Sequence, residues 1–304
     1  MTPAFGGIDM RNPMSKSTAS VPSPANGPRS KATLPLFLSI LLVASAVVET
    51  SMIRAGGIDK APGLVALTMF LPALSAIVAM LLTLRSLRGI GWRLGRPKYL
   101  LAALLLPVAI VIPAYALVWI TGLSVPDFQR LSHVAKLNFG LDAGPWLSLL
   151  VILAVGLIID SIMAAGEEIG WRGLLLTELG QRTAKPRAAL MVGALWAIWH
   201  WPGILFGGYT SPIAPIWYSI TCFTVMVLGW SMVLAWLRFR SGSLWPAVLM
   251  HGAHNLVIQA VFDAITPAKS TGAYLTGEFG AGVALCYVVA GVVAYRAMGR
   301  MDDV

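Results

Sequence analysis

The chain has 304 residues, of which 57% are hydrophobic and 12% charged, and its mean hydropathy is +0.77. A soluble domain needs a charged coat that this composition lacks, so the expected fold class is all-α, a polytopic integral membrane protein. The net charge of +9 would suit a nucleic-acid binder, but the basic residues alternate with apolar runs, which excludes that partner and points to orientation in a lipid bilayer.

Residues 1–32 are rich in Ser, Pro and Gly and are expected to form a disordered cytoplasmic tail. They are not a signal peptide, because the first apolar run begins near Leu34 and is long enough to span. Eight spans follow, at roughly 33–53, 62–84, 99–122, 146–178, 187–206, 214–237, 243–265 and 278–298, giving a transmembrane domain over 33–300 and a short tail at 301–304. Glu49, near the end of the first span, is assigned to the outer interface. The longest outside loop, 122–145, carries Val134, Leu137 and Phe139 at spacings that suit a short interfacial helix, and its His133 is read as solvated.

With the N-terminus inside, 17 Lys and Arg residues fall on inner segments and 5 on outer ones, namely Arg54, Lys60, Arg130, Lys136 and Lys269. Both termini are therefore expected in the cytoplasm. Cys222 and Cys286 lie inside apolar runs, so they build neither a disulfide framework nor a metal knuckle.

The fourth span ends in Ala164-Ala165-Gly166-Glu167-Glu168-Ile169-Gly170-Trp171-Arg172, two adjacent carboxylates where charge is costly. On a helix Glu168 and Arg172 are one turn apart and can pair, while Glu167 points about 100° away, without a local partner and suited to act as a general base. The fifth span places His200 among Trp196, Trp199 and Trp201, just before a helix-bending Pro202-Gly203. In the seventh, His251 and Asn255 share a face, His254 is offset toward a neighbouring helix or lipid, and small Gly252 and Ala253 allow close helix approach. Counting about 1.5 Å per residue from the cytoplasmic ends puts Glu167 roughly 17 Å deep, His200 roughly 20 Å, His251 roughly 12 Å and Asn255 roughly 18 Å. One layer in the cytoplasmic half, around a partly hydrated cavity, is the economical reading.

These residues resemble the signature of the CAAX-processing and bacteriocin-processing (CPBP, or Abi) family of intramembrane proteases, whose eukaryotic members cleave prenylated CAAX proteins. The family's Glu-Glu-x-x-x-Arg motif falls on Glu167, Glu168 and Arg172. Its Phe-x-x-x-His motif falls on Trp196 and His200, and its His-x-x-x-Asn motif on His251 and Asn255. The match covers roughly 165–256. The resemblance implies a protease in which Glu167 activates water, His200 helps to hold that water or a metal, and His251 with Asn255 stabilises the oxyanion. Glu168, Arg172, Trp196 and His254 are then supporting residues. Trp196 stands where the family has phenylalanine, a change expected to touch packing around His200 more than chemistry.

Zinc or another divalent ion is a further expectation, held by Glu167, His200 and His251, since such a set leaves an open coordination position. No His-Glu-x-x-His motif is present. Ser161, Cys222 and Cys286 lack a histidine placed to activate them. The expected substrate is a peptide or the juxtamembrane part of another membrane protein, reached from the cytoplasm or from lipid, in what the family's breadth suggests is a bacterial cytoplasmic membrane. Two other readings stay open: a non-catalytic scaffold or immunity-type protein of the same fold, and an ion or solute transporter using the buried polar layer.

Overall fold

A computed structural model of the chain describes residues 30–267 and 271–302. Most of the expected N-terminal tail, the last two residues and Lys269 lie outside the described residues. The helices, in chain order, are α1 (Thr33–Arg54), α2 (Pro62–Leu84), α3 (Pro97–Ile120), α4 (Arg130–Phe139), α5 (Pro145–Leu179), α6 (Lys185–Phe206), α7 (Ile216–Ser241), α8 (Trp245–Ile265) and α9 (Ala281–Met301). Among the described residues, all but α4 are long and apolar enough to cross a membrane, and there is no strand. The chain is a polytopic membrane protein of eight spans, as its apolar runs imply.

Local sequence accounts for the helix starts. Proline occupies the first turn of α2, α3, α5, α6 and α8, where its missing N–H has no helical partner to lose. At the other end of α7, Arg238 and Arg240 lie in the last turn and Gly242 adopts a left-handed φ of 68°, an ordinary helix stop.

The sixth span runs past the position expected from hydropathy. Arg238 reads as the start of an inner loop, yet it is buried: its Nε donates to the Arg172 carbonyl at 3.2 Å, and its Nη2 to the carbonyls of Gly89 at 3.0 Å and Ile90 at 3.2 Å. Backbone oxygens of a π turn inside α5 and of the loop after α2 solvate the guanidinium, so α7 continues to Ser241.

Close backbone packing brings the site-bearing helices together. A Cβ on Gly252 of α8 would stand 2.7 Å from the Ser161 amide nitrogen of α5, and one on Gly166 of α5 would stand 2.6 Å from the Met69 carbonyl oxygen of α2. Only glycine permits these approaches. Both α5 and α8 also contain wide π turns: Ile169–Leu175 follows Glu168 directly, and Leu256–Phe262 follows Asn255 directly. Such turns re-aim the side chains beside them and recur at functional sites.

The outer-loop helix forms as α4, and of the three expected apolar residues Val134 and Phe139 pack inward while Leu137 does not. Leu131 and Ala135 are buried against Ile152, Leu256 and Ile265, whereas Leu137 is 71% exposed. His133 is exposed on the same helix.

Candidate active site

Three helices converge on one chamber. Glu167 of α5, His200 of α6, and His251 and Asn255 of α8 all line a cavity of about 280 Å³, with Trp196 and Trp230 in its wall. Glu167 and His251 are each 3% exposed, while His200 and Asn255 are half-buried.

Glu167 has the partner its own helix does not supply. The indole N–H of Trp196 donates to its Oε2 at 2.6 Å. A phenylalanine cannot make this bond, so the expectation that Trp196 bears on packing more than on chemistry is corrected: the indole holds the carboxylate directly. Arg172 lies over the same ring, its guanidinium carbon 4.2 Å from the centroid, a desolvated cation–π contact.

Glu168 is a hub rather than a partner to Arg172 alone. Its Oε1 accepts from Arg172 Nη1 at 2.8 Å and faces His251 Nδ1 at 2.8 Å, and both carboxyl and guanidinium side chains are fully buried. A carboxylate only accepts, so the proton of His251 resides on Nδ1 and Nε2 is the nitrogen left for the chamber. The same logic applies to His200, whose Nδ1 lies 2.8 Å from the Trp196 carbonyl oxygen. Both imidazoles are thus fixed in one tautomer by their Nδ1 partners.

His254 points away from the chamber, into the bundle. It stacks on Trp230 at 3.7 Å between centroids, its Nδ1 lies 2.5 Å from the Tyr287 hydroxyl, and its Nε2 is 3.4 Å from Glu278 Oε1.

Glu278, which the sequence reading passes over, shares the cavity wall with Tyr209, Gln259 and Glu49. Burial pushes the Glu278 carboxyl up, but hydrogen bonds from His254, Tyr209 and Gln259 outweigh it and hold the group below its ordinary range, hence ionised. Burial and the neighbouring Glu278 charge push the Tyr209 phenol well above its usual value, so it remains the donor. Glu49 is not interfacial: it lies on the inward stripe Phe37, Leu41, Ser45, Glu49, Met52 of α1 and is 7% exposed. That four-residue spacing was the available signal for Glu49. For Glu278, which hydropathy places at the start of the last span, no motif marks the contact.

Among the described residues, no three His, Cys, Asp or Glu side chains gather as metal ligands. One ring nitrogen of His200 and one of His251 are turned to Trp196 and Glu168, which leaves Nε2 of each for the chamber.

Toward the end that carries the termini, Arg172, Glu168 and Arg238 are buried together, with the 85–96 loop against them. Ile58, Tyr209 and Glu278, from the loops at the opposite end, also line the cavity.

Residues 142–257 match the family model described as type II CAAX prenyl endopeptidase Rce1-like. The similarity is confined to that segment, well under half of the chain. A curated relative, CAAX prenyl protease 2 of Methanococcus maripaludis, is 27% identical over 156 residues, which is 49% of this chain and 53% of that protein. The chain thus spans about half the length of the curated relative it matches. The matched segment holds Glu167, Glu168, Arg172, Trp196, His200, His251 and Asn255; α1, with Glu49, and Glu278 lie outside it.

Proposed function

We propose that this protein is an intramembrane endopeptidase that hydrolyses a peptide bond with a water activated by Glu167. The observation that carries the reading is that Glu167, His200, His251 and Asn255, from three separate helices, line one chamber while Trp196, in its wall, and Glu168, behind it, hold Glu167 and His251 in place.

Glu167 takes a proton from water as the oxygen attacks the carbonyl carbon, with His200 Nε2 accepting the water's other hydrogen bond. Negative charge grows on the carbonyl oxygen, and the Asn255 amide together with His251 Nε2, when that nitrogen bears a proton, donates to it. The C–N bond then breaks and the proton held by Glu167 passes to the leaving amine. The fixed tautomers and the indole bond supply preorganisation, which in a poorly hydrated site is worth more than in water.

A transporter is less well supported, because the family model that matches residues 142–257 is that of an endopeptidase. The substrate is a peptide or a membrane-protein segment; the relative's name makes a prenylated CAAX peptide one arm of the test. The full chain in nanodiscs is offered prenylated and unprenylated peptides, and products are read by mass spectrometry. Cleavage by the wild type, lowered about a hundredfold or more in Glu167→Ala and in His251→Ala, supports the reading. Folded variants that cut as well as the wild type overturn it.

A further inference from the structure

The cavity wall is acidic beyond what hydrolysis uses. Glu49, Glu167 and Glu278 line it, and no Lys or Arg does. Two of these carboxyls are already engaged: Glu167 by the Trp196 indole, and Glu278 by Tyr209, Gln259 and His254. Glu49 is different. It is 7% exposed, it lines the chamber, and among the described residues it has neither a hydrogen-bond nor an ion-pair partner.

A carboxylate withdrawn from water without a counter-charge is costly, and the cost is relieved when a cation arrives with the ligand. The surroundings of Glu49 suit one kind of cation. Met52, Ile58, Val65 and Met69 line the same cavity as Glu49 and give it an apolar sleeve. A lysine or arginine side chain fits such a sleeve because its methylene stem packs on apolar groups while its charged head reaches for an acceptor.

We propose that Glu49 is a specificity-determining residue that receives the ammonium or guanidinium of a basic side chain next to the bond being cut. This rests on the endopeptidase reading and adds the substrate class to it: a peptide with Lys or Arg flanking the scissile bond. The residue lies outside the segment matched to the family, so the preference belongs to this chain's own first helix. Charge complementarity of this kind discriminates mainly by leaving the wrong partner's site unpaired.

The test uses the full chain in nanodiscs and a set of fluorescent peptides identical except that each flanking position in turn carries Lys, norleucine or Glu. Binding is followed by anisotropy and cleavage by mass spectrometry. At one position the Lys peptide binds about tenfold or more tighter than the norleucine peptide, the ratio falls to near one in Glu49→Gln, and Glu49→Lys turns the preference toward Glu. In cleavage the effect lies in KM rather than kcat. Equal binding of Lys and norleucine peptides at every position, or a preference retained in folded Glu49→Gln, overturns the proposal. Binding decides the role of Glu49; cleavage that is absent, and unchanged by Glu167→Ala, instead overturns the endopeptidase reading.

Discussion

A single donor sets the geometry of the base. The Trp196 indole holds Glu167 at 2.6 Å and carries the Arg172 guanidinium on its face, so one side chain positions the carboxylate and screens it from the nearest cation. Trp196→Phe keeps an aromatic ring, matches the family pattern and removes the N–H donor together with part of the fused ring. It is expected to lower kcat about tenfold with little change in KM, measured on the best peptide substrate, because orientation is lost where it matters in the transition state. An unchanged kcat would make the indole a packing residue. The residues of the site were legible as types and spacings: Glu168 does pair with Arg172 one turn on, and His251 and Asn255 do face one cavity. The cross-helix contacts were not. Nothing local ties Trp196 to a carboxylate 29 positions away, or Glu168 to an imidazole 83 positions away.

At the scale of helices, the crossing of α5 and α8 fixes the distance between base and oxyanion donors. Gly252 lies between His251 and Asn255 and meets Ser161 backbone. Gly252→Ala is expected to cost about 1–3 kcal/mol in a denaturation experiment, since a methyl group there must push the helices apart. Gly63→Ala, on a helix where an added methyl meets nothing within 4 Å, is the control and should leave stability unchanged or improved. Hydropathy located all eight spans because lipid demands continuous apolar helix, and small residues beside His251 foretold the close crossing. It ended α7 too early because a window method counts Arg238 as a loop residue. The carbonyls that bury it come from Arg172, Gly89 and Ile90, distant in sequence. The π turns after Glu168 and Asn255 leave no trace in composition.

For the whole molecule, the buried Arg172, Glu168 and Arg238 lie toward one end and the cavity-lining loop residues Ile58, Tyr209 and Glu278 toward the other. If the excess of Lys and Arg near the termini faces the cytoplasm, as the bias of basic residues implies, those loop residues face away from it. Asp59 and Arg240 are exposed at opposite ends of the bundle. In intact cells a membrane-impermeant maleimide is expected to label Asp59→Cys, and to label Arg240→Cys only after permeabilisation; native Cys222 is buried and Cys286 half-buried, so background is low. The reverse pattern would place those loop residues on the cytoplasmic side. The loop contribution to the cavity was not legible from depth alone, because residue counts give a level in the membrane and say nothing of which loops reach over it.

The most direct test of a glutamate-activated water is cleavage in H2(18)O by the full chain in nanodiscs, comparing wild type with Glu167→Gln. The wild type is expected to release fragments whose new carboxyl carries solvent oxygen, while the folded variant releases almost none. Fragments formed equally by both proteins would contradict the assignment of Glu167 and with it the account of this site.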